Sequence, residues 1–172
     1  DFQAFQVGDS GASAGDYKVS VNLSQTGDKQ VQKSAILTNA TTGNIAGLGT
    51  QLKDLSTMTD ASGNAILDSP KTLTVRGNGN KADINVSSDM TIEQLTNAIE
   101  SAVTSSAEDG GLGITGSTFG FDITKGQIIF ESGRDGRNGE LALAADEPLL
   151  KAMGMQITTE SEDAAFRVSA TT

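Results

Sequence analysis

Short runs in which apolar and polar residues alternate recur along the chain and predict strands. The first run, Tyr17 to Leu23, has the two-residue period of a half-buried strand. A polar stretch from Ser24 to Lys33 follows, and Gly27-Asp28 within it favours a hairpin turn. From Ser34 to Met58, helix-like spacing of apolar residues is mixed with glycines, so the secondary structure of this stretch stays open.

The clearest hairpin signal lies between residues 72 and 86. Thr72–Arg76 alternates, Gly77–Asn80 supplies turn residues, and Ala82–Val86 alternates again. The register of such a hairpin places one set of apolar side chains on the same face. These residues are Leu73, Val75, Ile84 and Val86.

The strongest helix signal begins at Thr91. Thr91 and Gln94 form the pattern of a capping box, and Met90 and Leu95 form that of a hydrophobic staple. Apolar residues then recur at three- and four-residue spacing, which predicts one buried stripe. The stripe contains Ile92, Leu95, Ile99, Ala102 and Val103. We expect a helix over about residues 91–105, with Gly110-Gly111 preventing any continuation.

The remainder of the chain predicts strands around one short helix. The helix, near 147–153, has Asp146 as its cap and Gly154 as its stop. The predicted strands are 118–123, 127–131, 140–144, 156–159 and 165–170. The whole pattern predicts an α+β fold, mainly antiparallel β-sheet, with one well-formed amphipathic helix. Ser69-Pro70 suggests a division into a β-rich segment, 1–70, and an α+β module, 71–172.

Composition excludes several functional classes. A net charge of −10 argues against nucleic-acid partners and anionic membrane surfaces. The absence of Cys and His removes the commonest nucleophile–base pairs and zinc ligands. No apolar run is long enough for a transmembrane helix. Asp1–Phe5 does not resemble a signal peptide, and we expect this chain to be a segment of a longer one. Because Cys and His are absent, we expect that it is not an enzyme.

Three segments match chemical motifs only in part. Gly111–Gly116 reads G-x-G-x-x-G, but a helix precedes it and a strand follows, the reverse of a nucleotide site. Asp135–Glu140 and Asp60–Asn64 resemble calcium loops but lack the ligand spacing. We therefore assign no catalytic, cofactor-binding or metal-binding residue. Several acidic groups fall in predicted loops and turns, and we expect them to form a solvated acidic surface: Glu108-Asp109, Asp146-Glu147 and Glu160–Asp163.

The hairpin and the capped helix together resemble the flagellin insertion motif. The resemblance covers Leu73–Val86 and Met90–Val103, in which Leu95–Ile99 matches a leucine–x–x–Ala-Ile core. Phe5–Gly8 resembles the tetrapeptide at which a flagellin chain leaves its helical core. Gly113–Thr172 resembles the continuation of the outer domain in longer flagellins. The motif occurs in the outer, surface-exposed domains of bacterial flagellins and in the flagellar cap protein.

The resemblance implies an extracellular building block of the bacterial flagellum that contributes to motility. Its partners would be other flagellar subunits, bound through terminal regions that this chain lacks, so the chain alone is expected to be monomeric. One alternative is a flagellar cap or hook-associated protein. Another is an adhesin or carbohydrate-binding module, although Tyr17 is the single tyrosine and tryptophan is absent. Because an inserted domain needs neighbouring entry and exit points, we predict that Ala4–Val7 lies beside Phe166–Ala170.

Overall fold

The computed structural model describes residues 18–25, 27–160 and 165–171, and the strands in these ranges form three antiparallel sheets. The first sheet pairs β1 (Lys18–Gln25) with β9 (Ala165–Thr171). The second contains β2 (Lys29–Lys33), β5 (Thr118–Asp122), β6 (Gln127–Asp135) and β8 (Gln156–Thr159), in the order β5-β6-β2-β8. The third contains β3 (Lys71–Gly77), β4 (Asn80–Val86) and β7 (Leu141–Ala144), in the order β4-β3-β7.

Two α-helices accompany the sheets within the described residues, α1 (Ile92–Thr104) and α2 (Glu147–Met153). These elements confirm the predicted α+β fold and both predicted helices. The β3–β4 hairpin turns on Asn78-Gly79, whose φ angles of 49° and 74° belong to a type I′ turn. The four predicted hairpin residues are all buried: Leu73, Val75, Ile84 and Val86.

The start of α1 has the predicted capping geometry. The Gln94 backbone N–H donates to Thr91 Oγ1 at 3.2 Å, and the Thr91 backbone N–H donates to Gln94 Oε1 at 3.0 Å. Two of the amide groups that a helix start leaves without partners are therefore satisfied locally. The predicted stripe faces the core, where Ile92, Leu95, Ile99 and Val103 are buried.

The hydrophobic core lies where α1 contacts β3 and β4 of the third sheet and β5 of the second sheet. Its side chains are mostly aliphatic. Across the β5–β6 pair, the rings of Phe119 and Phe130 lie 5.3 Å apart between centroids with a tilt of 36°. Aliphatic burial and this aromatic pair supply the main stabilisation of the fold.

The hairpin predicted around Gly27-Asp28 is wrong. β1 pairs with β9, whereas β2 pairs with β6 on one side and β8 on the other. The polar sequence of β2 conceals an internal strand, because the residues that face the interior are Gln30 and Gln32. Hydropathy alone assigns such a strand to the surface.

The side chains of Gln30 and Gln32 join the second and third sheets. The Leu141 backbone N–H donates to Gln30 Oε1 at 2.8 Å, and Gln32 Nε2 donates to the Leu141 carbonyl at 2.7 Å. Gln32 Nε2 also donates to Gln30 Oε1 at 3.0 Å. The two side-chain amides thus hydrogen-bond the backbone N–H and carbonyl of Leu141, as a neighbouring strand would. These bonds provide partners for buried polar groups of both sheets.

The stretch from residue 34 to 58 consists of turns with 3₁₀ helices at Leu52–Asp54 and Ser56–Met58. Isolated bridges such as Thr38 to Ile45 hold it together. Its apolar side chains nevertheless reach the core, where Leu37, Ala46, Leu52 and Leu55 are buried. Contacts between Lys29–Met58 and later residues therefore cross the predicted boundary at residue 70, and the division into two domains stays a prediction.

The two ends of the described chain lie together in the first sheet. In the β1–β9 pair, Lys18 lies opposite Thr171 and Leu23 lies opposite Phe166. Ala4–Val7, which was predicted to lie beside Phe166–Ala170, falls outside the described residues.

The turn between β5 and β6 is organised by the Asp122 carboxylate. Asp122 Oδ1 accepts hydrogen bonds from the backbone N–H and hydroxyl of Thr124 and from the backbone N–H of Lys125. The Lys125 ammonium lies 3.2 Å from Asp122 Oδ2. The hydrogen bond from the Thr124 side chain, followed by that from Lys125, lowers the pKa of Asp122 from 3.8 to about 2.

Thr91→Ala should lower the free energy of unfolding by about 1 kcal/mol, because it removes the side-chain acceptor at the start of α1. Thr91→Ser keeps the hydroxyl and serves as the control, with a stability close to that of the unchanged chain. Urea denaturation measures both. Equal losses in the two variants would contradict a capping role.

Gln30→Ala should lower the free energy of unfolding by about 2 kcal/mol, because the buried Leu141 N–H loses its acceptor. Lys29→Ala alters an exposed residue on the same strand and should change stability by less than about 0.5 kcal/mol. Thermal and urea denaturation of both variants test the difference. If the two variants were equally stable, the amide bonds to Leu141 would have no role in joining the sheets.

The lowered pKa of Asp122 predicts a loss of stability in acid. The ionised carboxylate stabilises the folded chain above its unfolded pKa near 4, and this contribution disappears as the pH falls through about 2. The stability difference between the unchanged chain and Asp122→Asn should therefore be constant above about pH 5 and shrink below it. A carboxyl carbon titration of Asp122 by NMR with a midpoint near 4 would contradict the geometry of this turn.

Candidate functional site

Several acidic residues of the described chain accept hydrogen bonds within turns and at helix starts. Asp60 Oδ1 accepts from the backbone N–H groups of Ser62 and Asn64 at 2.8 Å each, and Oδ2 accepts from the Asn64 side chain at 3.1 Å. The Asn64 side-chain bond is the main cause of the lowered pKa of Asp60. Both carboxylate oxygens are thus occupied by turn contacts, as expected when Asp begins a turn.

Asp146, Glu147 and Asp109 also have local polar partners. Asp146 Oδ1 caps α2 by accepting from the Leu149 N–H at 3.2 Å, and Asp146 Oδ2 lies 2.6 Å from Lys71 Nζ. The bond from Lys71 is the main cause of the lowered pKa of Asp146. Glu147 pairs with Lys151 one helical turn later, at 2.8 Å. Asp109 accepts from the Ser106 hydroxyl at 2.6 Å.

The two calcium-like segments adopt short local turns. Asp135–Glu140 folds into a short 3₁₀ helix, Gly136–Gly139, and Asp60–Asn64 forms the turn described above. Within the described residues, no three acidic side chains converge as metal ligands would. Of the acidic run Glu160–Asp163, only Glu160 lies in the described part of the chain, where it is exposed.

The glycine-rich segment Gly111–Gly116 completes the end of α1. The N–H groups of Leu112, Gly113 and Ile114 donate to the carbonyl groups of Ala102, Ser105 and Val103, at 2.9, 2.7 and 2.9 Å. A Cβ at Gly111 would overlap the Ser105 carbonyl oxygen, so glycine permits this close approach. In a phosphate site, backbone N–H groups of such a loop would bind the anion. Here the three N–H groups instead donate to carbonyl groups that the end of a helix leaves without partners.

A polar cleft of about 570 Å³ opens beside the turn of the β3–β4 hairpin. Arg76 and Arg137 line it together with Glu140 and Glu160, so charges of both signs surround the opening. The described lining includes no aromatic ring on which a sugar could stack. This arrangement provides neither a concentrated positive charge nor a nucleophile beside a base.

The most distinctive surface of the described chain is apolar. Ile36, Ile45 and Ile123 are 59%, 46% and 61% exposed, although most large apolar side chains are buried. Gly126 lies between Ile36 and Ile45. A Cβ built on this residue would stand 2.9 Å from Ile45 Cγ2 and 3.3 Å from Ile36 Cγ2, and Ile123 belongs to the same turn. We call these three side chains around Gly126 the isoleucine surface.

Gly126 allows the isoleucine surface to form. Its φ of +67° favours glycine, and its N–H donates to the Asp122 carbonyl while its own carbonyl accepts from the Leu37 N–H, each at 2.7 Å. The β5–β6 turn is therefore fastened directly to the segment that carries Ile36 and Ile45.

The isoleucine surface is also electrically neutral. From Ser34 to Leu52 the chain carries no charged residue, although 20% of all its residues are charged. The nearest charges in the β5–β6 turn, Asp122 and Lys125, neutralise each other. Hydrophobic periodicity does not reveal this surface, and the uncharged run that contains Ile36 and Ile45 is the signal in the sequence that points to it.

No described helix is both long and apolar enough to cross a membrane.

Comparison with known proteins relates the chain to a flagellar protein through its fold. No family model and no curated protein matches it. Among solved structures, it is similar to the crystal structure of the D2-D3 domains of the flagellar cap protein FliD from Escherichia coli. The TM-score is 0.55 at 15% sequence identity, over 91% of this chain and 72% of that chain. At this identity the chain shares its fold with those domains.

Proposed function

We propose that this chain is an outer structural domain of a bacterial flagellar subunit, exposed on the outside of the flagellum. The observation that carries the proposal is the fold shared with the FliD D2-D3 domains across 91% of the chain. The hairpin and capped α1 support it independently, because the residues that resemble the flagellin insertion motif adopt the hairpin–helix geometry that the motif implies.

The proposed role is mechanical and steric. A core of aliphatic side chains and an internal strand held by buried amides give a folded body that can project from an assembly. A net charge of −10 opposes nonspecific sticking where many copies are held close together. The domain would set the shape and charge of the surface that the flagellum presents to its surroundings.

The domain could belong to a filament flagellin or to a cap or hook-associated protein. The resemblance of Phe5–Gly8 and Gly113–Thr172 to flagellin segments makes a filament flagellin the first candidate. The shared fold with a cap protein favours the cap as the second candidate. Both make the same prediction about chemistry, namely that the domain has no turnover of its own.

The absence of enzyme activity is part of the proposal. The carboxylates of Asp60, Asp122 and Asp146 are occupied by turn, cap and lysine contacts, which leaves them poorly placed as general bases. The amides of Leu112, Gly113 and Ile114 likewise donate to carbonyl groups at the end of α1. These assignments support a structural role over a catalytic one.

Immunogold electron microscopy of cells that produce the protein tests the proposal. Antibody raised against this chain should label flagella and should leave cells that lack flagella unlabelled. Antibody absorbed beforehand with the purified chain provides the matched control. The exposed position of the domain predicts labelling of intact flagella without any denaturing treatment.

The pattern of gold distinguishes the candidates. Gold along the whole filament would identify a flagellin domain, whereas gold confined to the tip would identify a cap domain. Gold at the hook junction would identify a hook-associated protein. Gold on the cell body with bare flagella would contradict the proposal and would favour an adhesin.

A further inference from the structure

We propose that the isoleucine surface, Ile36, Ile45 and Ile123 around Gly126, is a contact site for a second copy of this chain. The exposure of these isoleucines favours a contact at this surface. Within the described residues, exposed large apolar side chains are few, and two of them, Ile36 and Ile45, flank Gly126, while Ile123 lies in the same turn as Gly126. Water-exposed isoleucines gain free energy when another surface covers them, and contiguous patches of this kind mark interaction sites.

Charge favours a second copy as the partner. Each copy has a net charge of −10, so two copies repel each other in most orientations. The uncharged run from Ser34 to Leu52 gives them one face on which they can approach without that repulsion. An anionic membrane would instead meet the negative charge of the whole chain, with no basic residue in this run to attract it.

The rim of the surface is self-complementary in charge. Asp122 and Lys125 lie 3.2 Å apart beside Ile123. In a two-fold contact the same patch meets itself, so Lys125 of one copy can approach Asp122 of the other. A rim with charges of one sign would repel its own copy.

The size of the surface predicts a weak contact. Three isoleucines and their neighbours fall well below a standard protein interface, so we expect a dissociation constant on the order of a millimolar. This agrees with a monomer in dilute solution. The contact becomes occupied where copies are held side by side at high local concentration, and this last step alone rests on the proposed flagellar function.

Sedimentation equilibrium of the intact chain tests the proposal. Measurements from about 20 μM to about 2 mM bracket the expected dissociation constant. We expect concentration-dependent association that strengthens between about 50 mM and about 500 mM salt, because salt screens the repulsion between the copies and leaves the apolar contact intact. Chains that remain monomeric at every concentration and both salt levels would overturn the proposal.

A pair of variants with equal charge locates the contact. Ile36→Lys with Ile123→Lys adds two positive charges on the surface, and Thr72→Lys with Ser101→Lys adds two on exposed positions of β3 and α1. Both lower the net negative charge, so the general repulsion falls equally. We expect at least about tenfold weaker association in the isoleucine variant and no loss in the control. Equal association in both variants would overturn the proposal.

Two further measurements keep the outcome independent of folding. Ile123→Ser changes one exposed turn residue and should weaken association with unchanged urea stability. Amide chemical shifts of the unchanged chain should move with concentration at residues 36–48 and 122–126. Shifts confined to the cleft beside Arg76 would overturn the proposal. All of these experiments use the purified chain, so a negative result would not contradict the proposed flagellar location. Likewise, immunogold labelling that contradicts the flagellar location would not contradict self-association of the purified chain.

Discussion

The rest of the structure depends on how β2 is held inside the second sheet. β2 lies between β6 and β8, and the glutamine side chains of its buried face reach across to the backbone of Leu141 in the third sheet. Buried amides of this kind are costly unless every donor and acceptor finds a partner. Here Gln32 Nε2 donates to Gln30 Oε1, and the two side chains hydrogen-bond both backbone polar groups of Leu141. One short strand early in the chain therefore joins the second sheet to the third.

The sequence predicted those elements whose causes are local. The α1 helix follows from a cap, a staple and one apolar stripe within fifteen residues or so, and the β3–β4 hairpin follows from two alternating runs around Asn78-Gly79. The place of β2 could not be predicted, because its buried face is polar and its partners lie about a hundred residues away. Residues 34–58 escaped assignment because turns and bridges carry no periodicity, although their leucines reach the core.

In the candidate site, too, features with local causes could be predicted from the sequence, and features that depend on distant contacts could not. That Asp60 and Asp146 serve as turn and cap residues followed from their neighbours, because these bonds span only a few positions. The isoleucine surface could not be predicted in this way, since alternation and spacing do not reveal which apolar side chains the fold leaves uncovered. It arises because Gly126 fastens the β5–β6 turn beside Ile36 and Ile45, a contact between distant parts of the chain.

Native-state hydrogen exchange tests most directly whether β2 joins the sheets into one body. If it does, the amides of β2 should open with the same free energy as those of α1 and β3, because all three are lost together in global unfolding. Gln30→Ala should then lower the protection of all three elements by the same amount. Exchange of β2 at a much lower free energy, with α1 and β3 still protected, would contradict the account and would show that residues 27–70 unfold separately.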